Sequence, residues 1–141
     1  MNRITVEMLQ AGGACPEAIE TFEREWPDGA EVTVANALRA SELGLSLSWG
    51  KKWMSISAWL AYEKATATAW HAYQEAVVTA WRTCGEGFVL AYEEECAIAE
   101  HVYEEECAIA WVRGILDSVA AQTKSASAKG AEAPIATGAI H

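Results

Sequence analysis

An all-α fold, in which short N-terminal helices lead into one long antiparallel helical hairpin, is predicted by three observations. The middle of the chain repeats with a period of eleven residues. All four tyrosines and four of the seven tryptophans hold a fixed phase in that repeat, and strand-like alternation is nearly absent. AYEKATATAWH at 61–71 runs directly into AYQEAVVTAWR at 72–82; after an eight-residue interruption, AYEEECAIAEH at 91–101 runs into VYEEECAIAWV at 102–112. Tyr62, Tyr73, Tyr92 and Tyr103 take the second position of a unit. Trp59, Trp70, Trp81 and Trp111 take the tenth, which extends a degraded copy back over 50–60. Eleven residues close three helical turns at about 3.67 residues per turn, the geometry of long helices with a slight right-handed supercoil.

On a helical wheel, positions 1, 5, 9, 2, 6 and 10 form one continuous arc. In the first unit these are Ala61, Ala65, Ala69, Tyr62, Thr66 and Trp70, opposite Glu63, His71 and Lys64. The predicted buried stripe is therefore alanine-rich on one flank and aromatic on the other. Small residues admit a close helix approach, and the rings supply most of the area.

Taken in order, Thr5 is placed to cap a helix from about 6 to 11 that stops at Gly12 and Gly13. Pro16 suits the first turn of a second helix that ends before Pro27. Thr33 caps a third, ending at Gly44. Ser46 or Ser48 begins a long helix reaching about Thr83, the glycines in TCGEGF mark a turn from Gly85 to Gly87, and a second long helix runs from about Phe88 to Val119. From Lys124 onward Ala, Ser, Lys, Gly and Pro dominate, which predicts disorder. The expected organisation is a small helical module at 1–45, the hairpin at 46–122 and a disordered tail at 123–141.

The chain of 141 residues is 52% hydrophobic, enough to bury a core, and its formal charge is −10. That charge is uneven: 1–45 holds eight acids and three bases, 46–90 three and four, and 91–117 eight and one. Direct binding to nucleic acid or to an anionic membrane is disfavoured by its sign. With no charged, apolar leader and no uncharged run of bilayer length, a cytoplasmic location is expected, where Cys15, Cys84, Cys96 and Cys107 stay reduced.

The opening ITVEMLQAGGACPEAIETFEREWPDGAEVT, followed by AYEKA-type units ending in Ala-Trp, resembles uncharacterised bacteriophage and prophage proteins with a short N-terminal module and tandem AYEKA repeats. The resemblance spans roughly residues 4–112. It implies a helical repeat protein, with no activity attached, and a host cytoplasm as its setting. The EEEC units at 93–96 and 104–107 depart from the AYEKA form.

Candidate chemistry is sparse. Cys96 and Cys107 recur at one phase, but an eleven-residue step separates them by about 16 Å along a helix, too far for a disulfide or a shared metal ion. No two cysteines have the short spacing of a zinc site. His71 with Glu75 and His101 with Glu105 share a four-residue spacing. A di-metal bundle would need Glu three residues before each His, where Thr68 and Ile98 stand, so these read as surface ion pairs. No nucleophile elbow, phosphate loop or dinucleotide fingerprint is present, and no cofactor or metal is expected.

The resulting expectation is a non-enzymatic protein–protein interaction protein that self-associates through Trp59, Trp70, Trp81 and Trp111 as interface residues. The alternative is an acidic inhibitor, a nucleic-acid mimic seated in the basic groove of a host nucleic-acid-binding defence protein. Glu93, Glu94 and Glu95 weigh against it, because consecutive residues fan over about 200° of helix and form no single row of charge.

Overall fold

Local sequence signals set the N-terminal elements. In the computed structural model, which describes residues 2–84 and 89–137 with side chains to 83 and over 89–122, helix α1 is Val6–Ala11. Thr5 Oγ1 accepts the Met8 N–H at 3.3 Å, and the helix closes with the Ala14 N–H donating to Leu9 O across Gly13, whose φ is 79°. Helix α2, Pro16–Glu25, has proline in its first turn and ends at Trp26, before Pro27. Helix α3, Val34–Glu42, is capped by Thr33 Oγ1 on the Asn36 N–H, and ends with Gly44 at φ 80° while the Leu45 N–H donates to Ala40 O at 2.9 Å.

Ahead of the hairpin, two features depart from expectation. Strands β1, Arg3–Ile4, and β2, Ala30–Glu31, form an antiparallel pair in which Arg3 faces Glu31 and Ile4 faces Ala30. The long helix also does not begin at Ser46 or Ser48. Ser46 caps a 3-10 helix at Leu47–Trp53, Met54 is extended, and Ser55 Oγ caps the true start by accepting the Ala58 N–H at 3.2 Å. The interruption lays Gly50 against the ring of Trp111, which a straight continuous helix from Ser46 has no reason to do.

Helix α4 is Ile56–Cys84 and α5 is Val89–Thr137. The expected turn from Gly85 to Gly87 lies outside the described residues. The helices run antiparallel, since pairs from Ser55–Ser118 through Tyr73–Tyr103 to Trp81–Tyr92 meet in reverse order. The backbone of α5 is helical to Thr137, where the sequence predicted an end near Val119 and disorder from 123. Ala120, Ala121, Ala126 and Ala128 favour helix by propensity alone, whatever they pack against.

The hairpin buries a narrower seam than the wheel implied. The seam itself is formed by Tyr62, Thr66, Ala69, Tyr73, Val77 and Ala80 on α4 and by Tyr92, Cys96, Ala99, Tyr103, Cys107 and Ala110 on α5. These are positions two, six and nine of each unit, in steps of four, three and four. Ala61, Ala65, Ala72 and Ala76, at positions one and five, are exposed. A helix with a single partner covers one stripe, and its flanks stay in water.

The main core lies at the open end of the hairpin. Ile4, Phe22, Ala30, Val32 and Ala37 join Ala108, Trp111 and Ile115 of α5 in one cluster. Ser118, 2% exposed, fastens the base: its Oγ accepts the Ser55 N–H at 2.9 Å and donates to Gly114 O at 2.8 Å.

Candidate functional site

The tenth position of the repeat puts tryptophan on one edge of α4. Each indole leans on a seam tyrosine, Trp59 on Tyr62 at 5.1 Å between ring centroids and Trp70 stacked on Tyr73 at 5.3 Å. Trp70 also meets Tyr103 edge-on at 5.5 Å, and Trp81 meets Tyr92 in the same way at 5.5 Å. One side of each indole is thus covered and oriented. The other is open: Trp70 is 45% exposed and Trp81 52%, with Val78, one turn from Trp81, at 47%. Trp59 is half-buried, with the Lys51 ammonium 5.6 Å from its ring centre. In an antiparallel pair, equal positions of the two helices fall on the same side, so the tenth position of α5, the exposed Glu100, borders this edge.

Trp111 does not belong to that edge. It is 5% exposed, and its Nε1–H donates to Leu47 O at 2.7 Å. The last unit lies under the N-terminal module, so the same phase that leaves Trp70 in water puts Trp111 in the core. The sequence does carry a signal of this. After Trp111 the apolar residues Val112, Ile115, Leu116 and Val119 widen the stripe beyond what one partner helix covers.

Two groups at the foot of the seam are held protonated by burial. Burial pushes the Tyr62 hydroxyl up to about 12, with Cys107 and Tyr103 adding to it. Burial also raises the Cys107 thiol; hydrogen bonding with Tyr103 opposes this, while Glu104 and Glu106 reinforce it. A thiol kept neutral is a poor nucleophile and a poor metal ligand. His101 Nε2 lies 3.8 Å from Glu105 Oε2 on an exposed face, and no three His, Cys, Asp or Glu among the described residues are grouped to hold a metal ion. Among those residues, no helix is long and apolar enough to cross a membrane.

Two apolar concavities lie elsewhere on the described surface. On the side away from the tryptophans, a shallow groove of about 240 Å³ runs between α4 and α5, past Ala72, Ala76, Ile98 and Val102. Between the N-terminal module and α5, a half-open apolar cavity of about 270 Å³ is walled by Phe22, Trp26, Trp49, Trp53 and Trp111. Trp26 Nε1–H donates to Asn36 Oδ1 at 3.3 Å, and Asn36 Nδ2 donates to Glu31 O at 2.9 Å, which fixes both side chains. The Lys52 ammonium lies 3.9 Å from the ring centre of Trp49 and donates to Gly12 O. Sequence reasoning missed this cavity, because its walls come from elements far apart in the chain. Comparison with protein-family models, curated proteins and solved structures gives no match for this chain.

Proposed function

We propose that the protein is a non-enzymatic helical interaction protein that self-associates through the edge of α4 carrying Trp70 and Trp81. The observation that supports this reading is the half-exposure of both indoles at one repeat phase, each held in orientation by a seam tyrosine. Oriented aromatic rings with one free face lose little freedom on binding and are enriched at interaction hot spots.

The association expected from these contacts is weak. A tryptophan side chain carries roughly 200 Å², and covering its exposed half removes about 100 Å² from water. Four indoles per dimer then contribute about 10 kcal/mol at 25 cal/mol/Å². Association itself costs about 4 to 15 kcal/mol, so Val78 and its neighbours have to contribute and the dimer belongs near micromolar concentration.

Sedimentation velocity from 1 to roughly 100 μM tests the proposal, with Kd read from the concentration dependence. The wild type is expected to dimerise or go higher, and Trp70→Glu with Trp81→Glu to give a helical monomer. Val102→Glu, in the alanine groove, should leave the assembly intact. A monomeric wild type, or a double variant that still dimerises, ends the reading. Capture from lysate of one basic nucleic-acid-binding protein by a monomeric wild type would favour the acidic inhibitor instead.

A further inference from the structure

The aromatic cavity between the N-terminal module and α5 has no part in self-association through α4, and we propose that it binds a small neutral aromatic molecule of two fused rings. Its size suits a small guest. An apolar protein cavity of about 150 Å³ stays dry and takes benzene, so the roughly 270 Å³ here admits a bicyclic guest. Its walls set the chemistry. Four indoles and the Phe22 ring offer faces and edges for stacked or edge-on contact, the geometry in which aromatic pairs gain most.

The amide, carboxylate and hydroxyl groups that line the cavity are already committed. Asn36 bonds both Trp26 and the Glu31 carbonyl, the Glu31 carboxylate pairs with Arg3 at 3.4 Å, and the Ser46 hydroxyl meets that of Ser48 at 2.7 Å. No buried polar side-chain atom among the described residues lacks a partner. The lining holds no Lys or Arg, and Lys52, which stands over Trp49, already donates to Gly12 O, so a carboxylate guest would leave its hydration shell for little in return, whereas a neutral aromatic one exchanges water for ring contacts. The hydrogen bonds of Trp26 and Trp111 also hold two of the walls in place before any guest arrives.

Indole, naphthalene and indole-3-acetate are the probes, and the readouts are thermal melting and the ¹⁵N-edited Nε1–H resonances of the full chain. Indole at ten times its Kd should raise Tm by about 5 °C and shift the Trp26 and Trp111 resonances saturably. Naphthalene should do the same, and indole-3-acetate at equal concentration should do neither. Ala40→Phe, which projects a ring into the cavity, should abolish the response; Ala37→Leu serves if that variant fails to fold. Trp81→Glu, on the hairpin edge, should respond like the wild type. Absence of a saturable shift with both neutral probes, an equal response to indole-3-acetate, or a full response in a folded cavity-filling variant overturns the proposal.

Discussion

The Nε1–H of Trp111 donates to the carbonyl oxygen of Leu47 at 2.7 Å, joining the last repeat unit of α5 to the 3-10 helix that precedes α4. This one bond ties the segment that follows the N-terminal module to the foot of the hairpin across 64 residues of sequence. It also separates Trp111 from the other tryptophans of its phase. Trp111→Phe should cost about 1 to 3 kcal/mol, since it strands the Leu47 carbonyl in a partly buried site. Trp111→Ala should cost about 3 to 5 kcal/mol. Trp81→Ala, by contrast, should cost about 2 kcal/mol in the monomer, because half of that ring is already in water. Urea unfolding of the three variants at low protein concentration measures the order, and equal costs at positions 81 and 111 would contradict the core placement.

Gly50 and Gly114 give opposite expectations for the same substitution. A Cβ at Gly50 would collide with the pyrrole edge of Trp111, a rigid ring held by its hydrogen bond. At Gly114 an added Cβ would stand 2.8 Å from Met54 Sδ, the far part of a flexible side chain that is able to swing aside. Gly114 lies within α5, where alanine gains about 1 kcal/mol of helix propensity over glycine. Gly50→Ala should therefore destabilise by about 2 to 3 kcal/mol, and Gly114→Ala should come within about 1 kcal/mol of the wild type. Melting curves of the two variants decide the matter; a Gly114→Ala loss as large as that of Gly50→Ala would show that Met54 has nowhere to go.

What the sequence reveals of this fold follows the range of the interactions. Thr5, Thr33, Pro16 and Gly44 act on backbone groups within a few residues, so the N-terminal helices are legible at their ends. The repeat likewise reveals the hairpin and the tyrosines of its seam. Strands β1 and β2 are two residues each, too short for any alternation. They depend on Arg3 reaching Asp28 O and Gly29 O and on the Val32 N–H donating to Asn2 O. The break at Met54 is fastened by Ser118, 63 residues away from Ser55. The edge at Trp70 and Trp81 follows from phase alone, while the aromatic cavity exists only once α1, α2, α3, the 3-10 helix and α5 have come together.

The seam and the outer face of the hairpin should separate cleanly under mutation. Tyr73 packs against Trp70 and against Tyr103 of the facing helix, at 5.3 and 5.9 Å between ring centroids. Tyr73→Ala should destabilise by about 2 to 3 kcal/mol, below the range for a fully buried aromatic because its ring is half-buried. Glu94 and Glu105 are exposed, and the contact of Glu105 with His101 is a solvent-screened pair, so either change to alanine should cost under about 0.5 kcal/mol. Chemical denaturation of the three variants would expose a misassigned seam if their losses were comparable.

Alkaline pH should loosen the hairpin through Tyr62. Its hydroxyl is pushed up to about 12 in the folded chain, chiefly by burial between the helices, while in the unfolded chain it ionises near the ordinary value of about 10. Below pH 10 or so the group is neutral in both states and contributes no pH dependence. Between about 10 and 12 the unfolded chain releases its proton first, so the unfolded state binds fewer protons and stability falls as pH rises. The raised thiol of Cys107 acts with the same sign, starting lower, near the ordinary cysteine range. Tyr62→Phe removes that residue's share and leaves those of the Cys107 thiol and of the Tyr92 and Tyr103 hydroxyls, which hydrogen bonding with Cys96 and burial, respectively, also raise. Urea midpoints measured at about pH 9, 10, 11 and 12 should fall less steeply for Tyr62→Phe than for the wild type over the upper part of that range. Parallel curves would mean that the Tyr62 hydroxyl is as well solvated in the folded hairpin as in the open chain.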